Sequence, residues 1–83
     1  MTDPRATIRT FILSEFMPGE PASSLTDDMP LRANGVMDSM GVVRLVDFLA
    51  ETFGIEVQAP EVDVGGTGSV DAIVALVEEK RGG

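Results

Sequence analysis

The chain lacks cysteine, histidine, tryptophan and tyrosine among its 83 residues. Without cysteine it has neither a disulfide nor a thiolate that could act as nucleophile or metal ligand. Without histidine it lacks the usual general base of a serine hydrolase and a common zinc ligand. Its only lysine, Lys80, lies next to the C-terminal end of the sequence. These absences argue against catalysis by this chain alone, and we expect it not to be an enzyme.

Basic residues are also few, with 6 against 14 acidic ones and a net charge of −8. Such a field repels nucleic acid and anionic membranes and attracts partners with basic surfaces. No apolar run approaches the roughly 20 residues that a membrane span needs. The start, Met-Thr-Asp-Pro, has neither the basic nor the apolar region of a signal peptide. We therefore expect a cytoplasmic monomer that binds no nucleic acid and does not span a membrane.

The first third of the chain predicts one helix and a long connection. Asp3 is a suitable N-cap and Pro4 suits the first helical position. Apolar residues then recur at helical spacing, and the prolines of 18–21 end the helix. The connection continues to Val36, with turn hydrogen bonds expected at Asp27-Asp28. The expected buried residues of the helix and the connection are Ile8, Phe11, Ile12, Phe16, Leu25, Met29 and Leu31.

The second helix is the most hydrophobic segment of the sequence. Asp38 is its predicted N-cap and Gly54 its C-terminal stop. We expect the helix to be buried on most sides, so that Val46→Asp would unfold the domain. Its predicted buried residues are Val42, Val43, Leu45, Val46, Phe48, Leu49, Ala50 and Phe53. Its predicted outward face consists of Met40, Arg44, Asp47 and Glu51, whose spacing places them on one side of the helix.

The remainder predicts two more helices. Pro60 opens a short third helix that reaches Val64, and Ser69 caps the last one. The buried stripe of that last helix is expected to be Val70, Ile73, Val74 and Val77. The expected fold is all-α, a four-helix bundle with three main helices and a short third one, forming a single domain over residues 1–83.

Ser39 is the residue with no structural task to explain it. Asp38 already supplies the N-cap of the second helix, so the serine hydroxyl is not needed there. An anionic group attached to Ser39 would lie at the positive end of the helix dipole, near unpaired backbone amides.

The segments around Ser39 resemble the acyl and peptidyl carrier protein family. Members of that family commonly read Gly-x-x-Asp-Ser-Leu before a hydrophobic helix, and this chain has Met40 in place of the leucine. The similarity covers almost the whole chain and is nearest to D-alanyl and stand-alone aminoacyl carriers. It is carried by Pro30-Leu31, Gly35-Val36-Met37-Asp38-Ser39-Met40-Gly41, Leu45-Val46 and Phe53-Gly54-Ile55.

The resemblance implies an acyl-carrier-like bundle in which Ser39 receives 4′-phosphopantetheine from coenzyme A. A phosphopantetheinyl transferase would attach this arm, and an adenylating ligase or acyltransferase would load an acyl or aminoacyl group on it as a thioester. A downstream synthase or transferase would then use the cargo. Asp38 would cap the helix and present Ser39, while the outward face of Met40, Arg44, Asp47 and Glu51 would bind partner enzymes. Because Arg44 stands where carriers of fatty acid synthesis tend to be acidic, the resemblance favours specialised metabolism.

Three other interpretations remain open. Within the family, the chain could be a D-alanyl, peptidyl or polyketide carrier. From another class, a small helical adaptor without a prosthetic group would tolerate Ser39→Ala. A calcium sensor is a third: Asp63, Gly65, Thr67, Gly68 and Asp71 weakly follow an EF-hand loop, with Gly68 at its turn position and no side-chain oxygen at Gly65. That match fails at the last ligand, where Val74 replaces the bidentate glutamate.

Overall fold

The computed structural model describes residues 3–62 and 68–82, and these form helices joined by irregular segments without a strand. The helices are α1 (Pro4–Phe16), α2 (Ser39–Phe53), α3 (Ala59–Val62) and α4 (Val70–Gly82), and a 3₁₀ turn lies at Ala22–Ser24. The predicted all-α class with three long helices and a short one is confirmed. The predicted continuation of α3 to Val64 lies outside the described residues.

The ends of the helices are set by the residues that the sequence predicted. Asp3 and Asp38 accept hydrogen bonds from first-turn backbone N–H groups at 3.1 and 2.9 Å. Ser69 does the same for α4 at 3.2 Å. Gly54 ends α2 in the left-handed conformation, with φ of 65°, which glycine adopts without the steric cost that a Cβ imposes.

The core lies where the helices and the connecting segments meet. Helix α1 packs mainly against α4, and α2 packs against α3 and α4. The connection before α2 contributes its own apolar side chains, as expected from its length. The buried side chains are Ile8, Ile12, Leu25, Leu31, Met37, Val42, Leu45, Leu49, Ile55, Val57, Val62, Val70, Ile73, Val74 and Val77. The predicted stripe of α4 is therefore confirmed in full.

Helix α2 is less buried than its sequence predicts. Val43 is 49% exposed, and Ala50 is exposed as well, so the prediction that these two lie in the core was wrong. Val46, Phe48 and Phe53 are only partly buried and pack against the edge of the core. The ring of Phe11 on α1 stacks on Phe48 with ring centroids 4.0 Å apart, whereas Val43 and Ala50 lie on a part of α2 that the described helices leave exposed.

Gly41 lets α2 approach the preceding loop and α1 closely. A Cβ at this position would lie 2.8 Å from the Cβ of Met37 and 3.0 Å from the ring of Phe16. Both distances are shorter than ordinary van der Waals contact. A side chain at position 41 would therefore push α2 away from Met37 and Phe16.

The long connection is tied to α1 and α4 by a cluster of charges, which we call the Asp27 clasp: Arg5, Arg9, Asp27 and Asp71. Arg5 bonds Asp27 and Asp71, both at 2.6 Å, and Arg9 bonds the other oxygen of Asp27 at 2.5 Å. The backbone N–H of Asp71 also donates to the carbonyl of Asp27 at 2.8 Å. Partial burial acts to raise the pKa of Asp27, but hydrogen bonds from Arg9 and Arg5 outweigh it and keep that pKa below its ordinary value.

Helix α3 is held against α4 by an ion pair between Glu61 and Lys80, whose charged atoms are 2.9 Å apart. The Lys80 hydrogen bond lowers the pKa of Glu61, and the same contact raises the pKa of Lys80. This pair helps to place α3 beside the start of α2, where the candidate site lies.

Candidate functional site

Ser39 is the first residue of α2 and its side chain is exposed. Asp38 makes the N-cap without it: the Asp38 carboxylate accepts from the N–H of Gly41 at 2.9 Å. The Asp38 carbonyl accepts the first helical bond, from the N–H of Val42 at 3.0 Å. The Ser39 hydroxyl therefore takes no part in the cap and faces outward, where an enzyme could modify it.

Ser39 opens onto a surface cleft of about 290 Å³. One wall is the first turn of α2 and the opposite wall is the start of α3. The long connection contributes Arg32 to the lining. The lining residues are Arg32, Ser39, Val42, Ala59 and Pro60.

The backbone on both sides of Arg32 is fixed by hydrogen bonds. The N–H of Leu31 donates to the carbonyl of Gly68, and the N–H of Val36 donates to the carbonyl of Leu31, both at 2.9 Å. Between them the N–H of Gly35 donates to the carbonyl of Arg32 at 3.0 Å. Gly35 has φ of 73°, a conformation that requires glycine for this tight turn. Arg32 is thus held at a set position beside the start of α2.

A second hollow, of about 500 Å³, lies on the other side of the α2 start. Arg32 lines this hollow as well, so the residue borders both. The lining residues are Glu15, Phe16, Arg32, Gly35, Val36, Met37 and Asp38.

The four predicted partner-binding residues are all exposed, and three of them meet in one groove. Arg44, Asp47 and Glu51 line a groove of about 230 Å³ together with residues of α1. Met40, which is 70% exposed, lies outside that lining and one turn closer to Ser39. The outward face therefore has an apolar end near Ser39 and a charged end further along α2.

Two contributors to this face were missed in the sequence. Val43 lies three residues after Met40, so the two exposed apolar side chains lie on one side of α2. Glu15 of α1 pairs with Arg44 at 3.0 Å. The spacing from Met40 could have indicated Val43, whereas no local signal connects Glu15 to a helix that begins 24 residues later.

The interior behind Ser39 is closely packed. The cavity between α2, α3 and α4 measures only about 10 Å³, roughly the space of a single water. It is lined by Leu31, Arg32, Met37, Val42, Leu45, Val62, Gly68 and Ile73. The structure therefore offers no preformed internal pocket for an attached chain at this place.

The described residues give no support to the calcium-sensor interpretation. Asp63, Gly65 and Thr67 lie outside the described residues, and the Asp71 carboxylate is bonded to Arg5. Over residues 3–62 and 68–82, no group of three acidic side chains is arranged to hold a metal ion. Over the same ranges, every helix is too short or too polar to cross a membrane.

Comparisons with models of known protein families, with curated proteins and with solved structures found no match to this chain. Over residues 3–62 and 68–82 the structure defines four α-helices, with an exposed serine at the start of the second. Any function for this site has to follow from the chemistry of its residues.

Proposed function

We propose that the chain is a discrete acyl or aminoacyl carrier protein that holds its cargo on a 4′-phosphopantetheine arm attached to Ser39. The observation that carries this proposal is the exposed Ser39 hydroxyl at the first position of α2, beside an Asp38 that completes the cap alone. A phosphodiester there would lie at the positive end of the helix dipole. The arm supplies a terminal thiol for a thioester, a chemistry that a chain without cysteine does not have itself.

The chain's own residues would present the arm and select its partners. Asp38 keeps the first turn of α2 in place, so that Ser39 stays at the surface. Met40 and Val43 offer apolar contact next to the attachment point, and Arg44, Asp47 and Glu51 offer charged contact further along. Complementary charges of this kind govern partner choice and association rate. The partners would be a phosphopantetheinyl transferase, an adenylating ligase or acyltransferase, and a downstream synthase or transferase.

The packed interior supports a small cargo. A cavity of about 10 Å³ does not accommodate an alkyl chain, and opening one would separate buried side chains at a cost of several kcal/mol. We therefore favour a short acyl or aminoacyl group, D-alanyl included, that stays outside the bundle. Together with the positive charge of Arg44, a short cargo favours a carrier of specialised metabolism, and we propose that it works as a cytoplasmic monomer.

Intact mass tests the proposal. The purified protein is incubated with coenzyme A and a permissive phosphopantetheinyl transferase, and we expect a gain of one phosphopantetheinyl group. Ser39→Ala should abolish the gain. Ser23→Ala, at another exposed serine, should leave it unchanged. If a known carrier is modified under the same conditions and this chain is not, the carrier proposal fails and the adaptor takes its place.

A further inference from the structure

We infer that Arg32 is the anion-binding residue of this site and that its guanidinium contacts the phosphodiester of the arm on Ser39. The inference depends on the proposed function, and it goes further by assigning a role to a residue outside the Asp38-Ser39 pair. No sequence pattern pointed to Arg32, which lies seven positions before Ser39 in the connection between α1 and α2.

Position is the first argument. Arg32 and Ser39 line the same cleft, and Arg32 also lines the hollow on the other side of the α2 start. Hydrogen bonds on either side fix its backbone, through the N–H groups of Leu31 and Val36. The backbone of Arg32 is thus fixed beside the cleft into which a group attached to Ser39 would extend.

The placement of the other cations is the second argument. The chain has only 6 basic residues, and five of them are engaged away from the Ser39 cleft. Arg5 and Arg9 belong to the Asp27 clasp. Arg44 pairs with Glu15, Lys80 pairs with Glu61, and Arg81 lies over the ring of Phe53. Arg32 is the basic residue that lines the cleft with Ser39.

The surrounding negative charges are the third argument, because they make a cation at Arg32 favourable for binding a phosphodiester. A phosphodiester adds a negative charge to a protein whose net charge is already −8, directly beside the Asp38 carboxylate. Asp38 and Glu15 both line the neighbouring hollow, so the local surface repels an anion unless a cation offsets it. Arginine suits the task, because its planar guanidinium can donate two parallel hydrogen bonds to phosphate oxygens. Arg32 already has an interaction within the chain, and its five N–H donors allow further contacts beside it.

Phosphorus NMR of the loaded protein tests the contact directly. We expect Arg32→Gln to shift the ³¹P resonance of the phosphodiester from its wild-type position, and Arg32→Lys to shift it less. Arg81→Gln is the matched control, since it removes the same charge at the far end of α4 and should leave the resonance in place. A resonance that is identical in wild type, Arg32→Gln and Arg81→Gln would overturn the inference.

Thermal melting provides a second readout that needs no partner enzyme. The difference in Tm between the loaded and unloaded forms should be more favourable in wild type than in Arg32→Gln, and unchanged in Arg81→Gln. Equal differences in all three would contradict the contact.

If Arg32→Gln does not fold, the wild-type protein still tests the inference. Nuclear Overhauser contacts between the Arg32 side chain and the first protons of the arm are expected, and their absence would overturn it. Failure of this inference is distinguishable from failure of the proposed function. A protein that gains the arm on Ser39 but shows no effect at Arg32 keeps its carrier role, whereas a protein that never gains the arm loses both.

Discussion

Leu45 and Val46 are neighbours in α2, but they differ in how deeply their side chains are buried. Leu45 is fully buried, with 0% exposure, whereas Val46 is partly buried and packs against the core from its edge. The sequence assigned both to the core, because both are apolar and lie in one continuous hydrophobic segment. An unpaired carboxylate would be trapped at position 45, whereas at position 46 it could reach water.

We therefore expect Leu45→Asp to unfold the domain. Burial of an unpaired charge costs several kcal/mol, and a domain of this size has about 5 kcal/mol of stability. Val46→Asp, which the sequence alone suggested would unfold the chain, should retain a cooperative transition at a reduced Tm. Circular dichroism during heating measures both variants. Equal loss of structure in the two, or a stable Leu45→Asp protein, would show that α2 is not packed as described.

At single positions, local properties could be predicted from the sequence and properties set by distant packing could not. The cap at Asp38 was predictable because capping is decided within three residues, and so was the spare hydroxyl at Ser39. The only sequence signal for the exposure of Val43 was its spacing from Met40, because burial on that side of α2 also depends on which helices cover it. The position of Arg32 beside Ser39 was not predictable either. A lone arginine in a long connection forms no sequence pattern, and only the folded structure shows which cleft it lines.

At the scale of elements, the helices were predictable and the attachment of the long connection was not. Start and stop signals are local, and they placed the bounds of α1 and α2 correctly. The expected role of Asp27 was a turn hydrogen bond, whereas its side chain bonds Arg5 across 22 positions. Arg5 in turn reaches Asp71 across 66 positions. Pairings over such distances depend on the packing of α1 against α4, which no local pattern encodes.

The Asp27 clasp makes a prediction about pH. The folded-state pKa of Asp27 lies below its ordinary value, so the clasp contributes stability that is fully present above the unfolded pKa of about 3.9. That contribution disappears as the pH falls through the lower folded pKa. Asp27→Asn should reduce the free energy of unfolding by about 1 kcal/mol at pH 7. Its deficit relative to wild type should shrink as the pH falls below about 4.

Urea unfolding at several pH values measures this difference. Asp28→Asn is the control, because it makes the same change one residue further on, at an exposed carboxylate, and should cost little at any pH. A deficit in Asp27→Asn that stays constant from pH 7 to pH 3 would show that the loss comes from packing and not from the charge of Asp27.

For the molecule as a whole, composition predicted a negative electrostatic field, but it did not predict which part of the surface would contact partners. A net charge of −8 attracts any partner with a basic surface. Most of the cations are engaged with acidic side chains, in the clasp and in the pairs Glu15–Arg44 and Glu61–Lys80. The structure adds a particular place, the groove where Asp47 and Glu51 lie beside Arg44. Partner recognition could depend on the total field or on that groove.

Two charge reversals separate these alternatives. Glu51→Lys changes the groove, and Glu78→Lys makes the same change at an exposed position on α4, so both alter the net charge equally. We expect Glu51→Lys to slow attachment of the arm by the transferase about threefold to tenfold at about 0.1 M ionic strength, because a charge at an interface rim acts mainly on the association rate. Glu78→Lys should change the rate by less than about twofold, since a Debye length of about 10 Å at 0.1 M screens distant charges.

Initial rates from intact mass measure both variants, and the difference between their rates should narrow as salt is added. Equal slowing would mean that partners respond to the total charge, and the outward face of α2 would then lose its role in recognition.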